Sequence, residues 1–506
     1  MRTRARLIGL FAGPLVAILL WVFLPGQYLG EQGDIVVLQA GARAAAGVAA
    51  WMAIWWMTEA IPVYATALLP LAIFPLIGAA PIKTVATSYG HELIYLFLGG
   101  FIVALALEKC GLHRRFALRV LQVVGTRPTR IIGAFMGIAA SVSMWVTNTA
   151  TTIMLLPVAL SITALLDDPD HSDGGGSSEP GRDNPDRNFA VCLLLSIAYA
   201  ASIGGIGTII GTVPNVFLVS YIQEQMGREI SFVRWMMFGV PLVVVFVPIA
   251  WWLLARRVYR VSTQPIPGAA AVLAGMNDEL GPMSRAEKLT LAIFVATATA
   301  WVCRPLLNRL ALGDMMPFAG LTDAGIAVIA ALLLFVTPVH VRKAEFLMDW
   351  NTAVKLPWGL LILFGGGLSL AATLDSTGFS QFLGSRAAVL APLPTFAIVT
   401  LVTGMMVFLT ELTSNMATTA TLVPVLYAVA IGLGLDPYLL IVPACVAASC
   451  AFMLPVATPP NAIVFGSGLV SVPQMCRAGF WLNIVAIMLI PLLAYIVILP
   501  VLGVTG

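Results

Sequence analysis

The chain has 506 residues, of which 59% are hydrophobic and 10% charged, with a net charge of +3. A soluble domain carries about 25% charge, so water is excluded as the solvent for most of this surface. So small a net charge, with basic residues at segment ends and not in a stripe, leaves no footprint for nucleic acid.

A hydrocarbon core of roughly 30 Å asks for about 20 apolar residues per helix. That rule predicts an all-α polytopic membrane protein with about eleven spans, near 7–25, 43–58, 60–80, 92–110, 189–222, 235–256, 288–308, 322–339, 355–374, 438–470 and 479–502. Arg2, Arg4 and Arg6 precede the first of these. No small-residue cleavage site follows Pro25, so an uncleaved span is expected there rather than a signal peptide. Trp51, Trp55 and Trp56 read as packing or interfacial anchors of the second span. His91-Glu92 lacks the second histidine of a His-Glu-x-x-His zinc motif, because position 95 is Tyr95. The cysteines Cys110, Cys192, Cys303, Cys445, Cys450 and Cys476 lie in or beside apolar segments with no Cys-x-x-Cys pair, which reads as small core residues and not as a disulfide framework or metal site.

Charge orients the spans. Lys109, Arg114, Arg115, Arg119, Arg127 and Arg130, then Arg256, Arg257, Arg260, Arg342, Lys343 and Arg477, fall on one side if eleven spans alternate. The positive-inside rule makes that side the cytoplasm of a cell inner (plasma) membrane, with the N-terminus inside and the C-terminus outside. Residues 167–187 are acidic and carry the run Gly174-Gly175-Gly176-Ser177-Ser178, the composition of a flexible linker.

Two further apolar stretches, 131–166 and 395–433, hold a polar motif in their middle and then Pro157 or Pro424. Ser, Asn and Thr runs consume or expose backbone hydrogen bonds, and they persist at membrane depth only when buried in protein or lining a cavity. Re-entrant hairpins are therefore expected, with two ordinary kinked spans as the alternative.

The motifs recur. Thr147-Asn-Thr-Ala-Thr-Thr-Ile-Met-Leu-Leu-Pro157 is echoed by Ser414-Asn-Met-Ala-Thr-Thr-Ala-Thr-Leu-Val-Pro424, with Asn148 and Asn415 separated by 267 positions (415 − 148). Gly211-Thr212-Val213-Pro214-Asn215 is echoed by Ala457-Thr458-Pro459-Pro460-Asn461. The interval between motifs is 67 residues in the first half (215 − 148) and 46 in the second (461 − 415). The difference of 21 is the length of the acidic stretch Asp167 to Arg187, which has no counterpart later. Such a duplication of polar, Gly/Pro-interrupted motifs points to a transporter made of two structural repeats, with its site where they meet.

Asn and Thr supply neutral oxygens, and a helix broken at such a motif frees carbonyls on one side and N–H groups on the other. The carbonyls suit Na⁺ and the N–H groups suit an anion. Neither motif contains Lys or Arg, so an anion there is neutralised by helix dipoles and co-bound cations. Loading cations first then raises anion affinity, which is the physical basis of symport.

Cys450-Ala-Phe-Met-Leu-Pro-Val-Ala-Thr-Pro-Pro-Asn461 and the paired Asn motifs resemble the divalent-anion:sodium symporters, the family of the INDY dicarboxylate transporters, over about residues 40 to 500. The resemblance implies inverted repeats at 41–260 and 288–506, after an N-terminal span and connection at 1–40 and joined by a cytoplasmic linker at 261–287. It also implies two re-entrant hairpins, a homodimer with scaffold and transport domains among membrane lipid, and elevator-type movement. It places one Na⁺ site at Ser143, Thr147, Asn148 and Gly211, and another at Thr410, Thr413, Asn415 and Ala457. Substrate carboxylates would meet Asn148, Thr149, Asn415, Thr458 and Pro459, with Val213 and Met416 beside them. Thr147 stands where the family has Ser, Met416 where it has Thr, and Val213 where it has Pro. The loss of a hydroxyl at Met416 leaves the anion open: a C4-dicarboxylate is expected, with citrate or sulfate as alternatives, and a sodium-independent exchanger of the same fold as the alternative mechanism. The resemblance makes Glu411, four residues before Asn415, a structural residue or a long-range stabiliser of cations. No nucleophile with a base and no metal cluster is visible, so an enzyme is not expected, and no organic cofactor is expected either.

Overall fold

A computed structural model describes residues 2–30, 34–166, 185–311 and 314–503. The acidic linker expected at 167–187 lies outside the described residues except for its last three, which begin the helix Pro185–Gly205.

The described chain is almost wholly helical, apart from two short antiparallel hairpins, Gln27–Leu29 with Ile35–Val37 and Pro338–His340 with Glu345–Phe346. Among the described residues eight helices are long and apolar enough to cross a membrane: Arg4–Phe23, Ile82–Lys109, Arg187–Gly205, Phe232–Val258, Arg285–Leu307, Trp358–Ser376, Asn415–Gly432 and Val472–Leu502. Three of the expected spans are broken. The segment 60–80 divides into Val63–Thr66 and Leu69–Leu76, with Pro70 in the first turn of the second helix. The segment 189–222 divides into Pro185–Gly205 and Val213–Met226, and 438–470 into Tyr438–Ala448 and Pro459–Gly466. The second piece of both carries proline in its first turn, Pro214 in one and Pro459 and Pro460 in the other, where its fixed backbone suits a helix N-terminus and gives up no hydrogen bond.

The duplication extends from motifs to helix bounds. Pro128–Ser143 and Thr395–Thr410 begin and end 267 residues apart (395 − 128 and 410 − 143), and each turns within four residues into a second helix, Asn148–Ala164 or Asn415–Gly432. Farther on, Phe232–Trp252 and Val472–Leu493 each run into a π-helical segment, Leu253–Val258 or Ala494–Ile498.

Backbone in a bilayer interior has no water to satisfy it, so every break needs partners from the protein. In the first break Trp235 Nε1 donates to Ile206 O at 2.9 Å, and Thr208 Oγ1 donates to Met144 O at 2.5 Å. The turn of the first helical hairpin is wedged by an aromatic stack, Trp145 against Phe232 and Phe232 against Trp301, with centroids 5.9 and 4.5 Å apart. Trp55 Nε1 donates to Leu10 O at 3.3 Å and Trp56 Nε1 to Val63 O at 3.0 Å, so that cluster ties neighbouring helices together.

The arginine-rich face is stapled by ion pairs. Arg115 is buried and donates to both oxygens of Glu287 at 2.6 and 3.1 Å, and also to Gly281 O and Leu280 O. This fixes the helix Leu112–Val124 to the capped start of Arg285–Leu307. Nearby, the Lys109 ammonium 2.6 Å from Asp349 holds that exposed carboxyl down at about 2, well below the usual carboxylate range. The His91 ring accepts from Leu93 N and caps Glu92–Lys109.

Candidate functional site

Four helix N-termini face one cavity of about 1230 Å³. Asn148–Ala164 and Asn415–Gly432 contribute Thr147, Asn148 and Thr149, and Ser414, Asn415 and Met416. The pieces after the two breaks, Val213–Met226 and Pro459–Gly466, contribute Thr212 and Val213, and Thr458 and Pro459. The opening N–H groups of a helix lack intrahelical partners and carry its positive end, so this wall favours an anion. The helices that enter the same turns, Pro128–Ser143, Pro185–Gly205, Thr395–Thr410 and Tyr438–Ala448, end there and bring carbonyl oxygens. One small volume thus holds amide ends and carbonyl ends together.

All seven residues expected at the anion, Asn148, Thr149, Val213, Asn415, Met416, Thr458 and Pro459, line the cavity, as do Thr147, Gly211, Thr413 and Ala457 of the expected cation sets. Ser143 and Thr410 lie one layer behind. Ser143 Oγ donates to Asn148 Oδ1 at 2.5 Å, and Thr410 Oγ1 donates to Asn415 Oδ1 at 2.7 Å. The correspondence is close: one hydroxyl, one amide oxygen and the same spacing in both halves.

The oxygens converge. A Cβ on Gly205 would sit 2.8 Å from Asn148 Oδ1 and 2.9 Å from Gly211 O, so two neutral oxygens point to one spot that only a glycine leaves open. Gly211 in turn packs directly on the Gly205 carbonyl. In the second half Thr410 Oγ1 also lies 2.8 Å from Ala448 O. A hydroxyl has one proton, so it serves Asn415 Oδ1 and Ala448 O only alternately, and an acceptor is left over. Thr413 Oγ1 donates to Leu409 O at 2.9 Å and lies 2.5 Å from Thr418 Oγ1. A set of amide, hydroxyl and carbonyl oxygens without a soft ligand fits a hard monovalent cation.

The asparagines that close the second motif act on the backbone. Asn215 Nδ2 donates to Gly205 O at 3.1 Å and Thr208 O at 2.8 Å. Asn461 Nδ2 donates to Ala451 O at 3.1 Å and Leu454 O at 3.0 Å. The pairs correspond at a displacement of 246 (461 − 215, 451 − 205, 454 − 208). Each side chain, 0% exposed, staples its break and so fixes which carbonyls remain free. Thr458 Oγ1 accepts from Asn461 N at 3.3 Å, which leaves its own proton free for an anion.

Two lining residues escaped the sequence reading. Ser414 is the counterpart of Thr147, and Thr212 is the counterpart of Thr458; the repeat itself was the signal that would have found both. From the motifs the cavity continues to Arg6, Glu59, Glu108 and Lys355, on the side that carries the arginine clusters. A smaller hollow of about 390 Å³ at Arg228, Arg234 and Asp436 is away from the motifs, and its charges are engaged with one another or with backbone: Arg228 pairs with Asp436 at 3.5 Å and Arg234 donates to Val501 O at 3.1 Å.

The profile of a family described as the sodium:sulfate symporter transmembrane region matches residues 14–502. A sodium-dependent dicarboxylate transporter, SdcS, of Staphylococcus saprophyticus is 38% identical over 500 residues, covering 99% of this chain and 92% of that protein. The fold is similar to that of the YdaH transporter of Alcanivorax borkumensis, with a TM-score of 0.58, 11% identity and coverage of 97% of this chain and 98% of that one. It is likewise similar to MtrF of Neisseria gonorrhoeae, with a TM-score of 0.59, 11% identity and coverage of 97% and 94%. At this identity the two structures bear on the fold alone.

Proposed function

The chain belongs to the family of the sodium:sulfate symporter transmembrane region, the divalent-anion:sodium symporters, and from that premise we propose that it carries a C4-dicarboxylate together with Na⁺. It is a multi-pass membrane transporter and not an enzyme. The observation that carries the proposal is the pair Asn148 and Asn415, each at a helix N-terminus, each bonded from behind by a hydroxyl, and both on one cavity.

In the proposed mechanism Na⁺ is held by Ser143, Thr147, Asn148 and Gly211 in one half and by Thr410, Thr413, Asn415 and Ala457 in the other. The two carboxylates of the substrate accept from the helix N-termini, from the Asn148 and Asn415 amides and from the Thr149 and Thr458 hydroxyls, with Pro459, Val213 and Met416 shaping the space. No basic side chain stands in the two motifs, so bound cations supply the compensating charge and the anion binds well only after them. The helical hairpins around 131–166 and 395–433 are re-entrant in this reading, and the repeats, at 41–260 and 288–506, are inverted. In this reading the arginine-rich side is the cytoplasm, and the cavity, which extends to Arg6, Glu59 and Lys355, opens toward it. A homodimer with an elevator movement of the motif-bearing helices would carry the site across.

Binding linkage tests this. In purified protein, succinate raises the melting temperature in NaCl and leaves it unmoved in choline chloride, since a ligand stabilises only as far as it binds the folded state. Equal stabilisation in both salts points to sodium-independent exchange, and stabilisation by sulfate or citrate in place of succinate corrects the substrate.

Two substitutions probe the site's shape. Gly205→Ala puts a methyl between Asn148 Oδ1 and Gly211 O, and is expected to raise the Na⁺ concentration for half-maximal uptake by about tenfold or more. Met416→Thr restores a hydroxyl donor to a buried cavity position, 4% exposed, and is expected to tighten succinate binding by about 1 kcal/mol, the usual net worth of a hydrogen bond. An unchanged uptake affinity with a lower melting temperature would make Met416 a packing residue only.

A further inference from the structure

The two halves differ at one buried charge. Glu411 ends Thr395–Thr410, and its counterpart at the repeat spacing of 267 is Met144 (411 − 267). The Glu411 carboxylate is 4% exposed and surrounded by donors. Oε1 accepts from Phe452 N at 2.7 Å, from Met453 N at 2.9 Å and from Asn483 Nδ2 at 2.8 Å; Oε2 accepts from Met453 N at 3.0 Å and from Leu454 N at 3.1 Å. The matching stretch of the first half, Ile206 to Thr208, is held by neutral groups, the Trp235 indole and the Thr208 hydroxyl. Among the described residues no Lys, Arg or His pairs with Glu411.

A buried carboxylate without a cationic partner is costly in a low-dielectric interior, and hydrogen-bond donors offset only part of that cost. A cation bound close by offsets more. Glu411 adjoins Thr410, whose hydroxyl lies 2.7 Å from Asn415 Oδ1, and it grips the chain three residues before Ala457 (457 − 454). The carboxylate itself is almost wholly shielded from water, so its field falls on the adjoining second cation set, while the first set has only Met144 at the same place.

We propose that Glu411 makes the two sodium sites unequal: the site at Thr410, Thr413, Asn415 and Ala457 binds Na⁺ more tightly and fills before the site at Ser143, Thr147, Asn148 and Gly211. The proposal rests on the sodium-coupled reading above. Glu411 is a positioning residue here, for it holds the Phe452 to Leu454 backbone and acts on the ion through space.

The test is a Na⁺ titration of the purified full chain without dicarboxylate, at constant ionic strength in choline, read as Na⁺-dependent rise of the melting temperature. Thr410→Ala is expected to raise the half-saturating Na⁺ concentration by about tenfold, and Ser143→Ala by less than about threefold. Glu411→Gln removes the charge and is expected to give about the tenfold displacement as well. Asn483→Ala removes a donor but keeps the charge; it lowers the melting temperature in choline and leaves the half-saturating concentration in place, which separates an electrostatic role from a structural one. Equal displacement by Ser143→Ala and Thr410→Ala overturns the proposal, and so does a Glu411→Gln curve within about twofold of the wild type. If Glu411→Gln does not fold, the Ser143 and Thr410 pair still decides. A wild-type protein that does not respond to Na⁺ at all sinks the sodium reading itself, whereas a response with equal sites sinks only the order of filling.

Discussion

Replacing Asn148 or Asn415 with alanine abolishes concentrative uptake and leaves the protein folded. Each side chain offers an oxygen to a cation and an amide to the anion, so one truncation removes two contacts from the loaded state. At about 1.5–3 kcal/mol for each charge-assisted contact, the loss is at least roughly a hundredfold in uptake at limiting substrate. The cost to stability is smaller, because only the Ser143 or Thr410 hydroxyl loses its acceptor, and Thr410 keeps Ala448 O. Uptake by reconstituted variants, alongside their melting temperatures, checks both halves of the statement. A variant that transports normally with an unchanged Na⁺ dependence would reduce the duplicated motif to helix packing.

The second large effect falls on stability. Asn215→Leu and Asn461→Leu keep the number and branching of side-chain heavy atoms but strip each break of two hydrogen bonds in a site with 0% exposure. One buried carbonyl in each break, Gly205 O or Ala451 O, is then unsatisfied, at about 1–3 kcal/mol, while Thr208 O keeps Gly211 N and Leu454 O keeps Ala457 N and each loses one bond of about 0.5–1.5 kcal/mol, which predicts a loss of roughly 1.5–4.5 kcal/mol. The second break loosens with Asn461→Leu, and Cys450, buried at its start, becomes reactive to a membrane-permeant thiol reagent. Thermal melting and labelling of the two variants provide the measurement; a melting temperature equal to the wild type would mean that the carbonyls of Gly205 and Ala451 find other partners.

These asparagines mark the boundary of what the sequence discloses. Their place in the duplicated Thr-x-Pro-Asn motif was plain, yet nothing in a one-dimensional string tells which carbonyls an amide will reach. The breaks at 206–212 and 449–458 were equally hidden, because Ile206, Ile209 and Ile210, and Phe452, Met453 and Leu454, keep hydropathy high while the backbone leaves the helix. Hydropathy reports the solvent of a segment and is blind to its hydrogen bonding. The split at 63–76 was hidden for the same reason, although Pro70 stood there as a warning. The helical hairpin halves were easier: Pro128 opens one, and the Asn148 and Asn415 motifs open the others, with Thr147 capping the first through Ala150 N. Glu411 stood out as an intramembrane carboxylate, but its grip on residues 41 to 43 positions further along depends on tertiary folding. The repeat was the strongest guide and was followed incompletely, since it pointed also to Thr212 and Ser414.

The central claim is that Na⁺ on the duplicated motifs draws a dicarboxylate into the shared cavity. Uptake of radiolabelled succinate into proteoliposomes tests it most directly, with an inward NaCl gradient compared with an equal gradient of choline chloride. Concentrative uptake that requires Na⁺, and that is missing from the Asn148→Ala and Asn415→Ala proteins, is the expected result. Succinate accumulation that is the same in choline, or that survives both substitutions, would contradict it.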